Sequence, residues 1–489
     1  MNVKFNIAYI TLIGLIIVIV VAYSTNEFNQ IQPIEPSVKQ ASKSFEKKDY
    51  QEALLLINAV LDCNQNNTQA LTLKANILIH TKKYNPAIET LEKLKKTDPD
   101  NYKLLTTLAN LYQQTNQLVK SAKLYSAIIK SGKATSSTYY NFAWALSHLG
   151  LLNEAVPFYK KVLELNPNHP QAHYGLAEIY LAQGIFKEGW NEFEWRQQGR
   201  QDSRYFSEKM WNGIDSITNK RILIRCEYGL GDTIQFIRYT KNLKERGAYV
   251  IVEAQPNLVP LLSLSPHIDQ VFSMFETLPK FDVQIRLMSL ARIFSPKEGS
   301  IEQTTPYLYA NHQLIKSWGK KLNNNKNIKI GIAWAGNRQY DNSLPPLSRR
   351  SINPTFLVPL IHTDNTSFYN LQINKDNQIG YVDCNIHEFD KTYDREHGPF
   401  MDTASVIMNM DLVITIDTSI AHLAGALGKP VWVMLPYRPD WRWQLNRNDT
   451  PWYPTMKLFR QTKPGNWSKI IDNIHKELVE FVCRRKKKL

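Results

Sequence analysis

The chain is poor in cysteine, with four in 489 residues, and Cys63, Cys226, Cys384 and Cys483 are scattered without paired spacing. That argues against a disulfide framework and against a structural zinc site. A Walker phosphate loop is missing. The pair Gly229 and Gly231 falls short of the full dinucleotide fingerprint. Excess charge is local: of the formal +15, five charges sit in Arg484 to Lys488, and the remaining body is moderately basic. Hydrophobic residues at 43% and charged residues at 21% make a globular balance, which excludes a wholly disordered or fibrous chain. The length suggests about three domains.

One long apolar run is present. Phe5 to Asn26 spans 22 positions without a charge, and its centre, Ile7 to Val21, is almost all Ile, Leu and Val. A run of this length crosses a hydrocarbon core as a helix, so residues 1–26 are expected to be a single-pass transmembrane anchor. A cleaved signal peptide is the alternative, against which stand a lone Lys4 and an overlong apolar stretch. Residues 27–37, with Pro33 and Pro36, read as a linker. Lys4 weakly places the amino terminus inside and the body outside.

From Ala41 the chain repeats. Tyr50, Tyr84, Leu118, Leu152 and Phe186 follow one another at intervals of 34 residues, as do Ala75, Ala109, Ala143 and Ala177. Three residues after the first series come Ala53, Ala87, Ser121, Ala155 and Gly189. Small residues at one fixed place and bulky ones at another suit two helices that cross closely. Asp98-Pro99 and Asn166-Pro167 fall between units, where a helix must stop. The pattern resembles the tetratricopeptide repeat, whose period is 34 residues. Residues 38–200 are therefore expected to form an all-α superhelix of such repeats with a concave groove. That groove either receives a protein or peptide partner or serves as a spacer bracing the next domain.

Beyond Trp211 the pattern becomes α/β. Arg221 to Arg225 reads as a strand, Glu227-Tyr-Gly-Leu-Gly-Asp232 as a glycine loop, Thr233 to Arg246 as an amphipathic helix, and Tyr249 to Glu253 as a second strand. A second half opens after residue 320. The strand Lys329 to Ala333 leads into Trp334-Ala-Gly-Asn337, and Asp411 to Ile416 leads into Asp417-Thr-Ser-Ile-Ala-His422. The expectation is two parallel sheets, at 215–318 and 326–480, with ligand beyond the carboxyl ends of their strands. Asp417, Thr418 and Ser419 at a helix start offer free amides and a positive dipole end to a phosphate, or merely cap the helix. Asp232 at its helix start is either a general base or an N-cap, and Gly229 and Gly231 before it permit close approach of a ligand. His422 reads as a hydrogen-bonded core residue or a participant. Arg338, Arg349 and Arg350 read as counter-ions for a diphosphate or as a solvated face. The aromatic clusters Pro439 to Trp443 and Pro451 to Pro454 read as packing or as a sugar platform.

Two stretches carry a resemblance. Glu227 to Tyr239 and Asp411 to Pro430 are similar to the glycosyltransferase family 9 group, which includes the ADP-heptose:lipopolysaccharide heptosyltransferases. The layout, repeats ahead of such a body, is also similar to that of the O-linked N-acetylglucosamine transferases. The resemblance implies a GT-B fold of two Rossmann-like domains, the first for the acceptor and the second for a nucleotide-sugar donor. It implies inverting, metal-independent transfer with no cofactor beyond the donor. Asp232 then falls at the catalytic base, and Gly229 and Gly231 on the acceptor loop. Asp417, Thr418, Ser419, His422, Gly425, Asn337 and Arg338 fall in the donor site. No metal ligand and no nucleic-acid partner are expected.

The function expected from this reading is a membrane-anchored glycosyltransferase whose repeats recruit an acceptor or partner. The alternative is a non-catalytic repeat scaffold, or a nucleotide-sugar sensor with a degenerate transferase body. Access to nucleotide sugars places the soluble body on the cytoplasmic face, against the weak charge rule. The basic tail, 484–489, either meets anionic lipid or is a solvated end.

Overall fold

Among the described residues, the 34-residue period folds as ten helices in five antiparallel hairpins. They are α1 (Val38–Glu46) with α2 (Tyr50–Cys63), α3 (Thr68–His80) with α4 (Tyr84–Thr97), and α5 (Tyr102–Gln114) with α6 (Leu118–Lys130). Then follow α7 (Ser136–His148) with α8 (Leu152–Leu165), and α9 (Pro170–Ala182) with α10 (Phe186–Phe193). The computed structural model describes residues 37–198, 206–301, 303–322, 326–372 and 385–486. The anchor expected at 1–26 and all but the last residue of the linker lie outside them. Among the described residues no helix is long and apolar enough to cross a membrane.

Both small-residue series do what the spacing requires. Ala53, Ala87, Ser121 and Ala155 are fully buried, as are Ala109, Ala143 and Ala177. At Gly189 an added Cβ would stand 2.8 Å from the Leu181 side chain, so α9 and α10 touch backbone to side chain. Asp49, Asn67, Asn101 and Thr135 cap their helices through the side chain. Inside every hairpin one residue takes a positive φ at the same place in the period: Lys48, Lys82, Asn116, Gly150 and Gly184. This left-handed residue ends the first helix and turns the chain into the second.

The chain divides into two compact units, one ending at Lys133 and one beginning at Ala134. The first holds the three hairpins from α1 to α6. The second holds α7 to α10 and two sheets whose strands, among the described residues, all pair in parallel. The first sheet has the order β3-β2-β1-β4, from β1 (Arg221–Arg225), β2 (Tyr249–Ala254), β3 (Gln270–Ser273) and β4 (Val283–Arg286). The second has the order β10-β9-β8-β5-β6-β7. Its strands are β5 (Ile328–Ala333), β6 (Thr366–Asn370), β7 (Ile386–His387), β8 (Leu412–Ile416), β9 (Val431–Leu435) and β10 (Met456–Arg460). Each order reverses direction beside its first strand, at β1/β4 and at β5/β8, which is where such sheets leave a crevice.

Alternation along the strands covers both faces of the second sheet. Ile330, Ile332, Ile414 and Met434 pack with Ile470, Ile474 and Leu478 of the last helix, Trp467–Lys486. Val413, Val431 and Val433 pack the opposite way, with Ala421, Leu423 and Ala424. The single helix expected over Thr233 to Arg246 is instead two, α11 (Leu230–Phe236) and α12 (Thr240–Glu245), joined by a 3-10 turn at Ile237–Tyr239. It starts earlier than expected because Gly229 supplies the cap and the Asp232 side chain accepts the Gly229 amide.

An aromatic cluster explains why α10 belongs with the sheets. Trp190 is buried edge-on against Trp441 at 5.4 Å and Phe236 at 5.9 Å, and its indole N–H donates to the Ser295 carbonyl at 3.0 Å. Such edge-to-face pairs contribute about 0.5–1.5 kcal/mol each beyond their buried area. Trp441, Trp443, Trp452 and Tyr453 are all buried, so the two aromatic runs of the sequence are packing.

Candidate functional site

Two strand ends converge within the second unit. β1 delivers the glycine loop and α11, and β8 delivers Asp417 and α13 (Ser419–Ala426). The two helices meet directly. A Cβ on Gly231 would lie 2.9 Å from His422 Cδ2 and 3.8 Å from the Ser419 Cα, so only a glycine fits at that crossing. At Gly425 a Cβ would stand 2.6 Å from the Tyr453 ring, which sets how closely α13 packs. Thr418 begins α13, its hydroxyl 3.5 Å from that of Thr415.

Asp232 is engaged through both oxygens. Oδ2 accepts from the Gly229 amide at 2.9 Å, and Oδ1 accepts from Arg442 Nη2 at 2.5 Å. Arg442 also stands 3.4 Å from Asp440. Burial alone would lower the Arg442 guanidinium, but Asp440, Asp232 and Asp417 together hold it above its ordinary value. Burial pushes the Asp440 carboxyl up against the pull of Arg442.

Asp417 is 4% exposed and sits 3.7 Å from Arg350 Nη1 and 3.9 Å from His422 Nε2. The His422 ring stacks on Trp443 at 5.3 Å, and its Nδ1 is 2.9 Å from the Tyr453 hydroxyl. Burial, then the charges of Arg442, Arg238 and Arg350, hold His422 well below its ordinary value, so the ring is neutral. Behind it Arg238 donates to the Trp452 carbonyl at 2.9 Å and to the Tyr307 hydroxyl at 3.1 Å.

The structure thus brings Asp232, Gly229, Gly231, Asp417, Thr418, Ser419, His422 and Gly425 to one place. Asn337 and Arg338 stand apart in character. Both are exposed, and Asn337 caps its own short helix by accepting the Tyr340 amide at 3.0 Å. From that segment Arg350 reaches Asp417, with Tyr340 beneath its guanidinium. Sequence reasoning held Asp440, Arg442 and Tyr453 only as members of the two aromatic clusters, and it did not single out Glu178. A lone arginine inside the aromatic run Trp441 to Trp443 was the available signal for Arg442. Glu178 comes from α9, and burial raises its carboxyl to about 6 even though Arg438 and Arg442 pull it down.

Chemically the cluster is rich in paired charge. Arg350 Nε, Arg442 Nε and Trp443 Nε1 are buried donors without a hydrogen-bond partner among the described residues. Such donors suit an anion better than a cation. Among the described residues no three His, Cys, Asp or Glu side chains gather as a metal ion requires.

The comparisons with known proteins bear first on the repeats. Residues 38–166 match the family described as Psidin, N-terminal TPR repeats region, and residues 148–206 match that described as Tetratricopeptide repeat. The chain carries tetratricopeptide repeats. Among curated proteins it is similar to protein FlbA of Caulobacter vibrioides, 23% identical over 438 residues, covering 81% of this chain and 70% of that one. A match of this extent reaches beyond the repeats. The TPR repeat-containing protein YpiA of Bacillus subtilis is 24% identical over 179 residues, and the chain spans 42% of its length. Of solved structures, MamA is 19% identical with a TM-score of 0.30, covering 32% of this chain and 91% of that one. YrrB, a TPR protein with an unusual peptide-binding site, is 18% identical with a TM-score of 0.31, covering 35% of this chain and 87% of that one.

Proposed function

We propose that this protein is an interaction scaffold whose repeats hold a polypeptide partner, with the α/β part of the second unit as a non-catalytic body. One observation supports it above others: the carboxylate expected to act as base is paired with Arg442 and bonded to the Gly229 amide, and Gly231 is packed against His422. A base must come within hydrogen-bond reach of a substrate hydroxyl, and Arg442 and the Gly229 amide compete for the same two oxygens. The repeat matches agree with partner binding, and YrrB is described as binding peptide. In this proposal the apolar segment at 5–26 anchors the scaffold to a membrane, with the body on the cytoplasmic face. The test is photo-cross-linking in cells from residues replaced one at a time by a photoreactive phenylalanine. Covalent polypeptide adducts from exposed repeat positions, and none from exposed positions of the last helix, are expected. Adducts restricted to the last helix would overturn the proposal.

A second reading is sugar transfer by a GT-B body, with Asp232 as base and the Asp417 loop at the donor diphosphate. The unpartnered Nε donors of Arg350 and Arg442 favour it, since a departing diphosphate needs positive groups in a metal-free site. Here no cofactor besides the donor is required. Thermal shift with UDP-, GDP- and ADP-sugars distinguishes the two, because a ligand that binds the folded state raises the melting point by mass action.

A further inference from the structure

A groove opens within the first compact unit, between α4 and α6, with Tyr112 of α5 beneath it. Its volume is about 570 Å3, inside the range of about 300–1,000 Å3 common for ligand pockets. Lys93 and Lys96 line it from α4, and Lys120 and Lys123 from α6. Spacing of three residues puts each pair on one face of its helix. All four are exposed.

Acid on the same lining is scarcer and partly committed. Glu92 accepts from the Tyr112 hydroxyl at 2.5 Å and stands 3.7 Å from Lys95. Glu89 remains. Lysine therefore sets the charge of the groove. The bias extends through the unit: residues 37–133 contain 15 lysines, no arginine and 8 acidic residues. Ile88 and Leu124 close its floor and are buried.

We propose that this groove binds an acidic, extended polypeptide segment, with carboxylates against the two lysine pairs. The proposal rests on the interaction reading above and adds the place and the chemistry. Lysines act as flexible point charges that suit scattered carboxylates, whereas planar, forked recognition uses arginine, which this unit lacks. A single-stranded nucleic acid fits less well. Base stacking needs an open ring, and the one ring of the lining, Tyr112, is 4% exposed.

The experiment uses the full chain in detergent and a fluorescent peptide of alternating glutamate and leucine, read by anisotropy. The double variant Lys120→Glu, Lys123→Glu is compared with Lys39→Glu, Lys43→Glu, which makes the same charge change on α1. Circular dichroism confirms that both fold, and Lys120→Gln, Lys123→Gln provides a milder version. The groove reversal is expected to weaken binding by about tenfold, and the α1 reversal by less than about twofold. Raising salt weakens binding to the wild type. Equal weakening by both reversals, no binding of the peptide, or tighter binding of a single-stranded RNA through the same lysines overturns the proposal. None of these outcomes touches the interaction reading, which fails instead if repeat positions yield no polypeptide adducts.

Discussion

Arg442 donates to Asp232 across 210 residues of sequence, Nη2 to Oδ1 at 2.5 Å, and so ties the second sheet's aromatic turn to the first sheet's glycine loop. The pair is mostly buried, with side chains 10% and 18% exposed. A charge pair so placed fixes geometry more than it adds stability.

Removing one partner leaves the other charge uncompensated. Asp232→Ala is expected to destabilise the second unit by about 1–3 kcal/mol, less than a fully isolated buried charge because Asp440 remains 3.4 Å from Arg442. Tryptophan fluorescence in urea reads this cleanly, since all 11 tryptophans lie at or beyond Trp144. An unchanged midpoint would show that the pair is open in solution.

Two titrating groups give opposite pH dependence. Burial raises Glu178 from 4.5 to about 6, so the folded chain holds the extra proton between those values and stability falls as pH rises through them. The cost above that window is about 2 kcal/mol before solvent screening. Glu178→Gln is therefore expected to stabilise at neutral pH by about 1–2 kcal/mol, and the gain vanishes near pH 4.5. Burial, then Arg438, lowers His148 from 6.5 to about 3, while its Nδ1 donates to the Trp144 carbonyl at 2.8 Å. The unfolded chain takes that proton first, so stability drops below pH 6.5 by about 1.4 kcal/mol per unit. His148→Gln flattens that limb in melting scans at stepped pH. A pH profile unmoved by either substitution contradicts both assignments.

Lys82 holds a φ of 57° where later hairpins place Gly150 and Gly184. A side chain in that region costs about 1–2 kcal/mol, and glycine returns about 0.5–1 kcal/mol of that as backbone entropy lost on folding. Lys82→Gly is expected to stabilise the first unit by about 0.5–1 kcal/mol, seen as a higher melting point by far-ultraviolet circular dichroism. Destabilisation would mean that the lysine side chain makes a contact stronger than the strain.

What the sequence made legible follows from period. Ala109 and Ala143 recur because helices cross there, so the hairpins could be read before any coordinates. Strands such as Asp411 to Ile416 were legible as short apolar runs beside glycine loops. Met456–Arg460 mixes charge with apolar residues, and Ile386–His387 is too short for any pattern, so neither was read as a strand. Asp232 and Asp417 were legible because each follows a strand at a helix start. Arg442 and Glu178 were not, because their roles depend on contacts across the fold: 210 residues separate Arg442 from its partner. The break at Ile237–Tyr239 was invisible for another reason. Its residues keep the apolar rhythm of a helix while Arg238 turns inward to the Trp452 carbonyl.

The most direct measurement is release of nucleoside diphosphate from UDP-, GDP- and ADP-sugars by the purified full chain, with Asp232→Ala alongside. An interaction scaffold predicts the same background rate for both proteins, with and without cell-extract acceptors. Turnover by the wild type that disappears in Asp232→Ala would contradict the account.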